Sequence, residues 1–376
     1  MVAQRAHDVE ISGIRKMFEG APASAINLGL GEPDFDPPKV VIDALVKAVR
    51  GGRNHYGPSA GLTALRERIA QLYRARDPRT SVDQVVVTGS GSEGLMSIAL
   101  ALYDPGDEVL VPNPGFVLYA PHARLAGAVP IPYELRESKG FEPDLDELEA
   151  LVTPRTRVLV VNSPSNPTGA VFSKALVERL VRFADEHDLT IVSDEVYDEM
   201  VYDGPFASFW GRGDRVVVAN SFSKRLAMTG WRLGFLVAPR ALAPEINKVH
   251  YHVMACPSTP AQHAALAGLI AGPPAIRPMI DEFRARRALV VRSLNRIHGL
   301  SCVPPAGAFY AFPKFDWPVS ASEAAQALLR RGVITTPGDA FGSLGASHLR
   351  LSFAASRPNL SKGLSILREY AREVVG

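Results

Sequence analysis

The sequence predicts an α/β protein built on a mostly parallel sheet, and three observations carry that prediction. Seven short runs rich in branched apolar residues lie between residues 84 and 238. Amphipathic stretches of helical period separate several of them, the alternation that sets strands in parallel order with helices on both faces. Most of the runs are near-continuous in Val and Leu rather than alternating with polar residues, as strands buried on both faces are.

Taken in order, QVVVT (84–88) leads into the helical pattern SEGLMSIALALY. EVLVP (108–112), AVPIPY (128–133) and RVLVV (157–161) follow. SKALVERLVRFADEHD (173–188) repeats its apolar residues at helical spacing, and TIVSD (190–194), RVVVAN (215–220) and GFLVA (234–238) complete the set. Beyond Pro273-Pro274 the pattern changes. Arg277 to Ile297 reads as a long basic amphipathic helix. GAFYAFPKF (307–315), a helix near 321–331, GVITTP (332–337) and HLRLSFA (348–354) then give an α+β order. The expected organisation is a large three-layer domain (41–280), a smaller α+β domain (281–376), and an N-terminal arm (1–40) that packs with the small domain.

Composition narrows the function. With 47% hydrophobic and 21% charged residues the chain is an ordinary soluble globular protein. Lys plus Arg number 41 against 39 Asp plus Glu, so no overall charge draws nucleic acid or an anionic membrane. Two cysteines, Cys256 and Cys302, are too few for a disulfide framework or a four-cysteine zinc site. No metal site is expected, and a reducing cytoplasm is the simplest location. The N-terminal MVAQRAHDVE has no apolar signal-peptide core. Val253 to Ile276 lacks Asp, Glu, Lys and Arg and is long enough to span a bilayer. Its Pro257, Pro260, Pro273 and Pro274, with Gln262 and His263, make it instead a loop running into a buried helix.

The polar residues cluster just after the strands, where open α/β sheets bind ligands. GSGSEG (89–94) matches G-x-G-x-x-G between a strand and a helix. A dinucleotide fold needs an acidic residue ending the next strand, but that strand ends in Asn113 and Pro114. Two readings stay open. Gly91 and Ser92 hold a phosphate at a helix N-terminus, or the segment is a tight turn with a Ser cap. Lys224 directly follows a buried strand, flanked by Ser221 and Ser223, with Arg232 eight residues on. A desolvated lysine near other cations becomes a nucleophile towards carbonyls, while two serines and an arginine suit a phosphate dianion. Together they suggest pyridoxal phosphate. Asp194, ending TIVSD, supplies the carboxylate such a ring needs at its nitrogen. Tyr197, one helical turn on, can bond the phenolic oxygen. Phe116 can stack on the ring, or be a plain core aromatic.

GLGEPDFDPP, NSPSNPTG, SDEVYDEM, SFSKRLAMTGWRLGF and HLRLSFA, in this order between Gly29 and Ser356, resemble the class I/II aminotransferases. These are pyridoxal-phosphate enzymes of fold type I. The resemblance implies that Lys224 forms the Schiff base with the cofactor and then shuttles the substrate proton. It implies Asp194 at the pyridine nitrogen, and Asn166 and Tyr197 at the phenolic oxygen. Gly91, Ser92, Ser221 and Arg232 would hold the phosphate, with Ser223 a further contact, and Phe116 would stack on the ring. Arg350 would fork the substrate α-carboxylate, helped by the backbone at Gly31. Tyr56, in NHYGPSAG, would reach the phosphate of a neighbouring subunit in a homodimer. From the residues alone, Arg350 and Tyr56 read as solvent-facing.

The implied reaction moves an amino group from an L-amino acid to a 2-oxo acid. A β-lyase uses the same Lys and Asp, and a non-catalytic pyridoxal-phosphate regulator would usually carry an added DNA-binding module that this chain lacks. Side-chain choice stays open. Arg15 and Lys16 can meet an acidic side chain, Phe18 and Tyr119 a large apolar or aromatic one. One geometric consequence follows. Arg232 must share the crevice with Lys224 yet precedes GFLVA, so that strand runs antiparallel to its neighbours. The family resemblance agrees, implying seven strands with one reversed.

Overall fold

The computed structural model describes residues 2–9, 21–22 and 24–375. Its centre is a seven-stranded sheet. The strands in chain order are β1 (Val85–Thr88), β2 (Glu108–Asn113), β3 (Val129–Glu134), β4 (Thr156–Asn162), β5 (Thr190–Asp194), β6 (Val216–Ser221) and β7 (Gly234–Val237). Their order across the sheet is β1-β7-β6-β5-β4-β2-β3. β7 runs antiparallel to both neighbours and every other pairing is parallel. The reversed strand is the one that the shared crevice of Arg232 and Lys224 demanded.

Sequence explains both edges. β3 carries Pro130 and Pro132, which cannot donate to a ladder, and it takes the edge, where one side of its backbone needs no partner. At the other edge the free backbone of β1 is covered. The Val87 N–H donates to the Ala60 carbonyl at 2.9 Å, and Arg66 Nε donates to the Val85 carbonyl at 2.8 Å.

The covering helices follow their patterns. In Lys174–Glu186 the residues Leu176, Val177, Leu180, Val181 and Ala184 face the core, and the Ser173 hydroxyl caps the Leu176 N–H. The uncharged stretch becomes a loop and the helix Thr259–Ala271, buried along Ala261, Gln262, Ala265 and Gly268. No helix among the described residues is long and apolar enough to cross a membrane.

Beyond the large sheet, Arg277–Leu294 is a single helix that runs through the expected boundary at 280 and buries Met279, Phe283, Val290 and Leu294 on one face. A three-stranded antiparallel sheet places Leu349–Ser352 between Tyr310–Ala311 and Thr336–Pro337. Ile26–Asn27 pairs in parallel with Val333–Ile334. That pairing feeds Gly29 and Gly31 across to the carboxyl edge of the large sheet.

Candidate active site

Four strand ends build the floor of one cavity. β4 delivers Asn162, β5 delivers Asp194, β6 delivers Ser221 and the turn Phe222–Arg225 that carries Lys224, and the loop after β1 delivers Gly91 and Ser92. Arg232 enters from the start of β7. The Ser221↔Gly234 and Thr88↔Gly234 registers set that start beside both β6 and the β1 loop. Only glycine fits at 234, because a Cβ there would lie 2.6 Å from the Gly91 nitrogen. Arg232 itself holds a left-handed backbone, φ 54°, unusual for a side-chain-bearing residue and frequent where function fixes the chain.

The cavity encloses about 250 Å³ and is lined by Gly31, Phe116, Asn166, Asp194, Tyr197, Ser221, Ser223, Lys224, Arg232 and Arg350, together with Gly91 and Ser92. All the site residues expected from the sequence thus converge here except Tyr56. That residue is 93% exposed in the single chain and lies outside the cavity. Arg15, Lys16 and Phe18 lie outside the described residues.

The charges in the cavity are shaped by burial. Lys224 Nζ donates to the Gly31 carbonyl. Its pKa is lowered to about 8, chiefly by burial and also by Arg350 and Arg232, with Glu32 and Asp194 opposing the shift. Asp194 is pushed up to about 6 by burial, against its two neutral donors. These are the Tyr119 hydroxyl at 2.8 Å and the Val196 N–H at 3.2 Å. The Ser221 hydroxyl donates to Ser223 Oγ at 2.9 Å and accepts the Ser223 N–H at 3.1 Å. Hydroxyls, the start of the helix Gly91–Leu102 and a guanidinium together form an anion cradle.

Arg350 forms the opposite wall. It is 1% exposed, not the solvent-facing arginine that an alternating strand suggests. Its guanidinium donates to Asn166 Oδ1 at 3.0 Å, to the Gly29 carbonyl and to Thr336 Oγ1 at 3.3 Å. Tyr310 and Phe341 lie against it with ring centroids 4.5 and 4.9 Å away. Its Nε is buried without a partner.

Three further residues shape the site. Tyr119, considered above for side-chain recognition, instead holds Asp194. The Tyr310 hydroxyl meets that of Tyr197 at 2.7 Å. Asn162 accepts the Asn166 N–H at 2.8 Å and donates to the Asp194 carbonyl at 3.0 Å, locking two site segments together. Asn162 opens the NSPSNPTG motif and was legible there; the pairings of Tyr119 and Tyr310 are long-range and have no local signal.

A lysine amine of lowered pKa, an anion cradle and a buried carboxylate, set at the carboxyl edge of an α/β sheet, define an enzyme of carbonyl chemistry on a phosphorylated ligand. The chain belongs to the aminotransferases of class I and II, whose family model matches residues 23–366. It is 39% identical to an aspartate aminotransferase of Pyrococcus abyssi, over 97% of each chain. It is also 39% identical to aromatic-amino-acid aminotransferase 2 of Thermococcus litoralis, over 99% of this chain and 98% of that one. The solved aspartate aminotransferase of Thermotoga maritima superposes with a TM-score of 0.93 at 36% identity, covering 99% of this chain and all of the other, 100%. The enzyme depends on pyridoxal 5'-phosphate and transfers an amino group between an amino acid and a 2-oxo acid. The donor set fits that cofactor: hydroxyls and a guanidinium for the phosphate, a buried carboxylate for a protonated ring nitrogen, and a lysine for the aldehyde.

Proposed function

We propose that Arg350 binds the α-carboxylate shared by the L-amino acid and the 2-oxo acid, and that the cavity residues divide the remaining work as follows. The observation that carries the reading is the place of Arg350, a guanidinium buried in the cavity wall with Lys224 and held there by Asn166, the Gly29 carbonyl and Thr336, with no carboxylate partner among the described residues. Burying a guanidinium without a counter-charge is costly, so a fold keeps one where an anionic ligand completes it. Gly91, Ser92, Ser221, Ser223 and Arg232 hold the phosphate. Phe116 faces the ring. Asn166 and Tyr197 bond its phenolic oxygen, and Tyr310 orients Tyr197. Asp194 holds the proton on the ring nitrogen, and Tyr119 fixes the carboxylate for that purpose.

Bound pyridoxal phosphate supplies an electron sink for the bond broken at the substrate Cα. Lys224 Nζ takes the proton from Cα, and a pKa near 8 leaves a useful fraction of free amine at neutral pH. Residues 41–280 carry the cofactor side of the site. Residues 281–376, with the arm 1–40, carry Arg350 and the carbonyls behind it. The exposure of Tyr56 supports a homodimer in which its loop completes the neighbouring site. Both cysteines are free, which suits the cytoplasm.

The test is Arg350→Lys, which keeps the charge but loses the two-pronged geometry. Charge-assisted bonds of this kind are worth roughly 1.5–3 kcal/mol, so kcat/KM should fall about ten- to a hundredfold for amino donor and oxo acceptor alike. An amine lacking the carboxylate should be processed almost as by wild type. An equal loss on an amino acid and its decarboxylated analogue would make Arg350 structural.

A further inference from the structure

Behind the cradle lies a buried charge pair that the chemistry above does not use. Glu93 stands in the first turn of the helix Gly91–Leu102. One of its carboxylate oxygens accepts the Gly89 N–H at 2.9 Å. The other accepts the Ser97 hydroxyl at 2.6 Å and faces His250 Nδ1 at 2.9 Å. His250, on the helix Ala243–Met254, is wholly enclosed at 0% exposure, and its Nε2 faces the Ser59 carbonyl at 3.1 Å. A neutral imidazole offers one N–H and one lone pair. Here both nitrogens face acceptors, a carbonyl and a carboxylate, an arrangement that only a ring carrying a proton on each nitrogen satisfies with two donated bonds. Burial raises the Glu93 carboxyl, but the bonds from His250 and Ser97, the His250 charge and the Gly89 N–H outweigh it and hold the group below the ordinary carboxylate range.

Two loops meet at this pair. Gly89 opens the loop that continues through Ser90 to Gly91 and Ser92. A Cβ at Gly89 would lie 2.1 Å from the sulfur of Met254, so the helix of His250 packs directly on that loop. Ser59 belongs to the loop that carries Tyr56. Asn247, one turn before His250, donates to Ser59 Oγ at 3.4 Å. The same loop is tied further along, where Thr259 donates to the His55 carbonyl at 2.9 Å and the Leu62 N–H donates to Gln262 at 2.7 Å.

A carboxylate in the first turn of a helix is welcome until that terminus must also receive a phosphate dianion. An uncompensated Glu93 would then repel the ligand. We propose that His250 is a positioning residue of the phosphate cradle: it neutralises Glu93 and ties the Gly89–Ser92 loop to the Ser59 carbonyl. One cation thereby serves the protein's own phosphate site and the Tyr56 loop offered to a neighbouring subunit. The inference rests on the reading of Gly91, Ser92, Ser221 and Arg232 as that phosphate site.

The experiment titrates inorganic phosphate into the full-length apoprotein by calorimetry, for wild type, His250→Gln, Glu93→Gln and the double variant. His250→Gln leaves the Glu93 charge unpaired beside the cradle and should weaken phosphate binding about tenfold. In the Glu93→Gln background the same change should have an effect of less than about twofold, because no charge remains to neutralise. Equal losses in both backgrounds, or none in either, would overturn the proposal, since a packing role does not depend on the Glu93 charge. Should His250→Gln fail to fold, Glu93→Gln and the double variant still form a pair. Equal phosphate affinity supports the proposal there, and a tenfold gap overturns it. Arg232→Gln is the control. If it leaves phosphate binding intact, the cradle reading itself fails, an outcome separable from any result at His250.

Discussion

Asp194 and Asp198 stand four residues apart on one segment and are almost equally buried, at 5% and 6% exposure. Their surroundings differ in kind. Asp198 meets Arg225 at 2.6 Å, Arg76 at 3.6 Å and the Asn220 amide at 3.2 Å. Arg225 in turn reaches Glu199 at 2.9 Å. Asp194 receives only a tyrosine hydroxyl and a backbone N–H, and its pKa rises to about 6. Asp198 is answered by two guanidinium groups within the protein, whereas Asp194 waits at the cavity with neutral donors only. A raised carboxyl alone does not mark the site. Glu195, enclosed by Ser208 and the Phe209 N–H, is pushed up to about 7 by burial yet lines no part of the cavity. What singles out Asp194 is a raised carboxyl that also faces the cavity, opposite Lys224 and Arg350.

The contrast can be broken most severely at Lys224. Its cationic neighbours Arg225 and Arg232 are close in sequence, but neither stands where Lys224 does. Lys224→Ala should cost about ten-thousandfold in turnover, the upper range for removing a proton-transferring group. The cofactor should still bind through the cradle. Borohydride treatment of the wild-type holoenzyme followed by peptide mapping should place the label on Lys224, and a label on another lysine sinks the assignment.

Asp194→Asn comes next. Turnover should fall about a hundred- to a thousandfold with the cofactor saturating, as for other buried groups that stabilise developing charge. Stability of the apoprotein should move the other way. The folded pKa lies above the ordinary aspartate value of 3.8, at about 6. The native state therefore binds more protons between those values, and wild type loses stability as pH rises through that window. Asparagine does not titrate, so its stability relative to wild type should climb by up to roughly 3 kcal/mol from pH 4 to pH 7. Denaturant melts of both apoproteins across that range measure it, and a difference independent of pH would mean that Asp194 is compensated after all.

Half of this contrast is legible in the sequence, and the reason is distance along the chain. Strand ends carry their own signal. Asp194 ends TIVSD, Lys224 comes shortly after RVVVAN, and the strands formed within a residue or two of the expected places. The groups that tune them come from afar. Tyr119 reaches Asp194 across 75 positions, and Tyr310 reaches Tyr197 across 113. Arg350 misleads most. HLRLSFA alternates as a half-exposed strand would, yet it forms the middle of its three-stranded sheet and is covered by the Gly29 carbonyl, 321 positions away. Alternation reports that a strand has two faces; it does not report what later packs on each.

The smallest effect on chemistry should come from Asp198, and it tests whether the comparison is sound. Asp198→Asn keeps the shape but leaves Arg225 and Arg76 facing a neutral amide in a region where the Arg225 side chain is 10% exposed. Removing one member of a buried ion pair costs about 3–5 kcal/mol, because the remaining charge is stranded. Glu199 still pairs with Arg225, so the lower end of that range is expected. The loss should appear in denaturant midpoint with the m-value unchanged. Turnover of the folded enzyme should stay within about threefold of wild type, since Asp198 touches neither cavity nor substrate. The two aspartates then exchange signs: Asp194→Asn harms chemistry and favours the apoprotein at neutral pH, while Asp198→Asn harms stability and spares chemistry. A large turnover loss at Asp198 with stability intact would show that Arg225, next to Lys224, transmits the charge of Asp198 to the reacting amine, and the division between answered and waiting charges would have to be redrawn there.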